Sequence, residues 1–140
     1  MIYLDSSALL KLLHEEPESA ALADWLSART VLPVVSSELA KVEVLRACRR
    51  VNVEALPAAK ALLAQLDLIP LTSDVIDEAA DAGEVMLRSL DAIHLASALS
   101  IHADLSAFVA YDDRLCDAAS AAGLELLTPG RDDLSGPPGS

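Results

Sequence analysis

Ile2-Tyr3-Leu4-Asp5-Ser6-Ser7-Ala8-Leu9-Leu10 is the stretch that decides the fold. Three apolar residues stop at a carboxylate, two serines follow, and an apolar run with helical character continues from them. The pattern predicts a short buried strand, Ile2–Leu4, whose C-terminal end delivers Asp5 to the edge of a sheet as a helix begins. Asp5 or Ser6 can cap that helix, because a side-chain oxygen there satisfies a first-turn N–H that has no partner within the helix. In open parallel α/β sheets ligands bind outside the carboxyl ends of the strands. Asp5 is therefore the first candidate functional residue.

Outward from this stretch, apolar runs and helical patterns alternate. The first helix is expected over residues 6–14, and Glu15-Glu16-Pro17-Glu18 breaks it, since proline disfavours helix in the residue before it. A second helix covers residues 19–28, with Leu22, Trp25 and Leu26 on one stripe at i, i+3, i+4. Residues 31–35 read as a strand, and Ser36 and Ser37 as caps of a third helix that runs to residue 51. A fourth helix covers residues 54–66, with Pro57 tolerated in its first turn. Leu68-Ile69-Pro70-Leu71 is a short strand whose proline suits a sheet edge. Thr72-Ser73-Asp74 caps a fifth helix over residues 75–84, with Gly83 at its fraying end. A helix over 91–102, a buried strand over 107–110, a helix opened by Asp112-Asp113 and a last strand over 125–127 complete the body. Strands separated by helices need crossover connections and so form a parallel sheet. Residues 1–128 are expected to be one domain, and 129–140, rich in Gly, Pro, Ser and Asp, a flexible tail.

Composition narrows the chemistry. The 140 residues fit one domain that can bury a real core, and with 53% hydrophobic but 3% aromatic residues that core is aliphatic. No apolar run reaches the roughly 20 residues of a membrane span, and no basic segment followed by an apolar one marks a signal peptide. Cys48 and Cys116 form no CxxC pair and are expected as buried, reduced thiols in a cytoplasmic protein. The formal charge of −12 argues against gripping nucleic acid by charge alone. A phosphodiester ligand would need a divalent cation to reverse the local sign.

Three further carboxylates stand where they can join Asp5. On a wheel at about 100° per residue, Glu43 sits at the margin of the apolar arc of the third helix. Glu38 lies roughly 140° away on the solvent face. An intrahelical pair with Arg46 or Arg50 is the alternative role for Glu43. Asp91 leads the mostly apolar face Leu95, Ala98, His102, and either caps its helix or points into the domain. Asp112 repeats the pattern of Asp5, a carboxylate between a buried strand and a helix, and capping is again its alternative role. Gathering such carboxylates raises their pKa values, and a hard divalent ion relieves the repulsion. Mg²⁺ takes carboxylate oxygens, keeps waters and completes its shell with phosphate. No HExxH or P-loop supports zinc or nucleoside-triphosphate chemistry. His94, one turn after Asp91, is a partly buried structural histidine, or one that supports the site or faces RNA, and Ser6 and Ser7 orient Asp5 or cap.

These residues resemble the motifs of the PIN-domain nucleases, and in particular of VapC-type toxins. Leu4-Asp5-Ser6-Ser7-Ala8-Leu9 is similar to the first motif, Glu43 to the second acidic position, and Leu90-Asp91-Ala92-Ile93-His94-Leu95-Ala96-Ser97-Ala98 to the third. Ala110-Tyr111-Asp112-Asp113-Arg114-Leu115 resembles the fourth, but Ala110 stands where the family usually has Thr or Ser. The resemblance implies a three-layer α/β/α fold with a mostly parallel sheet of about five strands. It implies a Mg²⁺- or Mn²⁺-dependent endoribonuclease with Asp5, Glu43, Asp91 and Asp112 as catalytic and metal residues. Asp113 or Asp117 is the substitute should Asp112 fail. The same resemblance implies a small cognate antitoxin lying over helices one to four, and a homodimer or toxin–antitoxin assembly. RNA would be positioned by cations among Lys11, Arg46, Arg49, Arg50, Arg88 and Arg114. Two other functions fit the residues: a non-catalytic module docking a basic peptide in its acidic cleft, and a metal-dependent DNA nuclease or phosphatase.

Overall fold

The computed structural model describes residues 1–131. The chain runs β1 (Ile2–Leu4), α1 (Ser6–Lys11), α2 (Ser19–Ser27), β2 (Val34–Ser37), α3 (Glu38–Val51), α4 (Leu56–Ala64), β3 (Asp67–Ile69), α5 (Ser73–Asp81), α6 (Ser89–Leu99), β4 (Ala107–Val109), α7 (Asp113–Ala121) and β5 (Leu126–Leu127). The five strands form one sheet in the order β3-β2-β1-β4-β5, and every pairing is parallel. This is the expected α/β fold with helices on both faces.

The period-2 alternation of short strands sorts the core. Ile2 and Leu4 of β1 and Val109 after them in β4 pack with α1, α2, α3 and α4, against Leu9, Leu22, Val44 and Ala59. Tyr3 and Phe108 point the other way, onto α6 and α7, against Leu95, Leu115 and Ala119. The two rings stack with centroids 5.2 Å apart. Connections β1→β2→β3 therefore cross on one face, and β3→β4→β5 on the other. The sheet order reverses between β1 and β4, which makes their carboxyl ends the topological switch point where such folds bind ligands. Asp5 follows β1, and Asp112 stands three residues past the end of β4.

Several boundaries differ from expectation for local reasons. The second strand begins at Val34 rather than Val31, which is 90% exposed. Ser36 belongs to that strand, because its hydroxyl donates to the Leu4 carbonyl at 2.6 Å, and Ser37 alone caps α3 through the Leu39 N–H. The first helix ends at Lys11, where Leu12 and Leu13 tighten into i→i−3 bonds. Residues Val53–Ala55 form a 3₁₀ turn before α4, and His102–Asp104 another after α6, so both helices are shorter than predicted. The sixth helix starts at Ser89, two residues before the expected start, which puts Asp91 in its first turn. The fourth segment's strand, β3, does lie at a sheet edge.

Residues 129–131, the start of the predicted tail, fold back on the body. The Tyr111 hydroxyl donates to the Pro129 carbonyl at 2.8 Å, and Arg131 pairs with Asp113 at 2.9 Å. Gly130 has φ +90°, and an added Cβ there would come within 3.1 Å of Glu18 and Ala21. The rest of that predicted tail, 132–140, lies outside the described residues. Among the described residues no helix is long and apolar enough to cross a membrane. Cys48 and Cys116 are free and buried, as expected.

Candidate active site

Four elements meet at the switch point, and each brings one of the predicted carboxylates. The β1–α1 junction places Asp5, which is 4% exposed and caps α1 by accepting the Ala8 N–H at 2.9 Å. Ser7 donates to the same Asp5 oxygen, Oδ1, at 2.7 Å, and its hydroxyl oxygen accepts the Tyr111 N–H at 3.1 Å. The one hydroxyl thus ties the end of β1 to the segment leaving β4. Asp5 Oδ2 accepts no hydrogen bond among the described residues. Capping and candidate chemistry therefore use different oxygens of one carboxylate. Burial pushes the Asp5 pKa above its ordinary value of 3.8, against the lowering effect of His94, Ser7 and the Ala8 N–H; the Asp91 charge adds to the rise.

Asp112 is also a cap. Its Oδ1 accepts from the N–H groups of Arg114 and Leu115 at 3.1 and 3.2 Å, while Oδ2 accepts from Arg88 at 3.0 Å. The same guanidinium donates to Asp91 Oδ2 at 3.2 Å. Arg88, at the N-cap of α6, is thus a counter-cation shared by two of the predicted acids. Asp113 points away: its side chain is 91% exposed and pairs with Arg131. Asp117 is exposed on the outer side of α7. The structure therefore brings Asp112, not Asp113 or Asp117, toward Asp91.

Glu43 reaches the site from α3 and is turned to a buried polar network. Its Oε1 accepts from the Ser6 hydroxyl at 2.5 Å and from His94 Nε2 at 2.8 Å. A carboxylate oxygen only accepts, so Nε2 of His94 carries a proton and Nδ1 takes the Tyr3 hydroxyl at 2.7 Å. Burial first, and then the Asp5 charge, raise the Tyr3 pKa well above 10.0, which keeps that hydroxyl a donor. Burial raises the Glu43 carboxyl, but the hydrogen bonds from His94 and Ser6 outweigh it and hold the pKa below its ordinary value. Arg46 and Arg50 do not pair with Glu43 among the described residues.

The four carboxylates share one end of the sheet without closing on one point. Among the described residues no three His, Cys, Asp or Glu side chains stand close enough together to hold an ion. Asp5 and Asp91 feel each other's charge, Asp91 and Asp112 share Arg88, and Glu43 is joined to them through Ser6 and His94. What sequence reasoning missed is the Tyr3–His94–Glu43–Ser6 chain. One signal was available: a phenol in the middle of a buried three-residue strand, facing opposite to its neighbours, needs a partner on the far face. Cys116 is no nucleophile; burial, and next the Asp5 charge, push its thiol up to about 12. Ala110, in place of a hydroxyl, is fully buried beside α7, and its carbonyl accepts the Cys116 S–H at 3.3 Å.

Comparison with known proteins agrees with this geometry. Residues 2–121 match the PIN domain family. The chain is 48% identical over 133 residues to Ribonuclease VapC35 of Mycobacterium tuberculosis, covering 94% of this chain and 98% of that protein. Its fold is similar to the crystal structure of M. tuberculosis VapC20, described as a Sarcin-Ricin loop cleaving toxin, with TM-score 0.73, 21% identity, and coverage of 92% of this chain and 100% of that one. It is also similar to a chain of a toxin–antitoxin complex from Klebsiella pneumoniae, with TM-score 0.67, 20% identity and coverage of 92% and 98%.

Proposed function

The chain belongs to the PIN domain family, and on that premise we propose that it is the ribonuclease toxin of a toxin–antitoxin pair, cutting RNA phosphodiester bonds with a divalent metal. The observation that carries this reading is that Asp5, Asp91 and Asp112 share the end of the sheet at the β1/β4 switch point, in a chain 48% identical to one that bears the name ribonuclease.

Two features of the acidic end of the sheet favour a hard divalent ion held by a pair of carboxylates. Asp5 Oδ2 is unclaimed by the protein although the side chain is buried, and Asp91 is held by a single exposed guanidinium. Mg²⁺ is commonly bound by one or two carboxylates and completes its shell with water and phosphate. Asp5 and Asp91 would hold it, with Asp112 joining when Arg88 lets go. Bound there, Mg²⁺ or Mn²⁺ would supply an activated water and neutralise charge on the phosphodiester. The chain's own residues prepare this. Ser7 and the Ala8 N–H fix the Asp5 carboxylate, and His94 and Ser6 hold Glu43 on the same side of the domain. Arg88 offers a cation to a phosphate once released from Asp91 and Asp112.

The partner follows from the same reading. Leu10, Leu13, Trp25, Leu26, Leu45 and Leu62 leave partly buried apolar surface on the helices of one face, suited to an amphipathic antitoxin helix. A nuclease acting on cellular RNA would work in the cytoplasm.

The test is cleavage of a structured RNA, a single-stranded DNA and a small phosphoester, each with Mg²⁺ and with EDTA. RNA is expected to be cut only with metal; cutting of DNA alone, or of RNA in EDTA, overturns the reading. Metal binding should also depend on pH in a stated direction. Between its unfolded value near 3.8 and its raised folded value, Asp5 binds more protons when folded, so its stabilising contribution is complete below 3.8 and is lost as pH rises through the folded value. Glu43 acts oppositely: its contribution is present above 4.5 and is lost as pH falls through its lowered value. A cation binds the ionised Asp5 and competes with its proton. The rise in Tm produced by saturating Mn²⁺ is therefore expected to grow from acid to neutral pH. A rise that shrinks over that range contradicts Asp5 as a ligand.

A further inference from the structure

Three cations of this acidic chain are paired with carboxylates among the described residues. Lys11 pairs with Glu16 and Glu18, Arg88 with Asp91 and Asp112, and Arg131 with Asp113. On α3 the situation differs. Arg46, Arg49 and Arg50 are exposed, have no acidic partner among the described residues, and alone line a hollow of about 230 Å³. Solvation and the α3 C-terminal dipole account for Arg49 and Arg50 in the last turn. They do not account for three guanidinium groups gathered around one concavity, which repel one another unless an anion lies between them.

The position of the three relative to Glu43 gives the anion its identity. Arg46 lies three residues and Arg50 seven residues beyond Glu43 on one continuous helix. At about 100° per residue both fall within about 60° of the Glu43 direction, so these two continue the edge of the helix that carries the acid, while Arg49, about 120° from it, closes the hollow from the outer side. The run from Glu43 to Arg50 covers about 10 Å of helix axis, which matches about three phosphates of a strand stacked at roughly 3.4 Å per nucleotide. Guanidinium forks bind phosphate oxygens bidentately. We propose that Arg46, Arg49 and Arg50 form a phosphate-backbone site that holds the RNA strand leading away from the acidic centre along α3. This rests on the ribonuclease reading and deepens it. The site needs no metal, and it supplies the attraction that a net charge of −12 otherwise denies to RNA.

Binding of a short fluorescent mixed-sequence RNA, followed by anisotropy in EDTA so that nothing is cut, separates this site from catalysis. The full chain is compared with single Arg46→Gln, Arg49→Gln and Arg50→Gln variants, the triple variant, and Lys60→Gln as the same charge change on the exposed side of α4. Each arginine is expected to contribute about 0.7 to the slope of log K against log salt, so the triple variant loses about 2 and binds at least tenfold more weakly at about 50 mM salt. The Lys60 variant keeps the parent slope. Equal slopes for parent and triple variant, an equal loss in Lys60→Gln, or no binding by the parent at low salt each overturn the site. Mg²⁺-dependent cleavage by the parent is measured alongside: if it persists while the arginines prove silent, this site alone falls, and if it is absent, the ribonuclease reading falls. Unchanged thermal unfolding of the variants confirms that these exposed positions do not hold the fold.

Discussion

Asp5→Asn and Asp91→Asn are each expected to lower Mg²⁺-dependent RNA cleavage by on the order of a hundredfold or more. The substitution at residue 5 is informative because it separates the two jobs of that side chain. An asparagine oxygen can still accept from Ser7 and the Ala8 N–H, so the cap on α1 is kept. What is lost is the charge. Burial already disfavours that charge in the metal-free protein, so in EDTA at neutral pH the variant should melt no lower than the parent. In Mn²⁺ the order reverses, because only the parent gains stability by binding. Asp91→Asn removes one side of the Arg88 bridge and little packing, since that pair is bound through a guanidinium 62% exposed. Asp113→Asn is the matched control: its carboxylate is 91% exposed and pairs with Arg131, away from the acids. It should cleave as the parent does.

His94→Ala is expected to be the most destabilising polar change in the chain, at about 3–4 kcal/mol. The imidazole is 2% exposed and partners Tyr3 and Glu43 at once. Removing it leaves a void between β1 and α6, an unpaired buried phenol and a carboxylate short of a donor. Tyr3→Phe removes only the hydroxyl and should cost about 1–2 kcal/mol, because His94 Nδ1 then lacks its donor. Its ring stack on Phe108 survives. Urea unfolding in EDTA reads both without interference from metal. Costs below about 0.5 kcal/mol for His94→Ala would mean that the network does not hold Glu43. Cleavage by Tyr3→Phe distinguishes positioning from mere stability: a loss of kcat at a temperature where the variant is fully folded assigns the chain to Glu43 orientation.

The physics that made β1 legible is local. Three apolar residues, a carboxylate and two serines specify strand, cap and helix without help from elsewhere, and the same holds for Asp112 before α7. The parallel sheet followed from the alternation of strands and helices, and the wheel placed Glu43, not Glu38, toward the protein; Glu38 instead accepts the Leu71 N–H near the far edge of the sheet. What could not be read was set by tertiary contact. Ser36 looked like a cap, but the Leu4 carbonyl across the sheet draws it into β2. Arg88 was a candidate for RNA, and the turn before α6 sets it between Asp91 and Asp112. Lys11 was a candidate for RNA and is claimed by Glu16 and Glu18. Ser6 and Ser7, adjacent in sequence, serve different acids, Glu43 and Asp5, because neighbours on the first turn of a helix point about 100° apart.

The central claim is that the acids at the end of β1 and the start of α6 hold a divalent cation. Calorimetric titration of Mn²⁺ into the metal-free chain at neutral pH tests it directly. Saturable binding is expected for the parent and for Asp113→Asn, and is lost in both Asp5→Asn and Asp91→Asn. Binding that survives unchanged in either of those two variants, or that is absent from the parent, would contradict it.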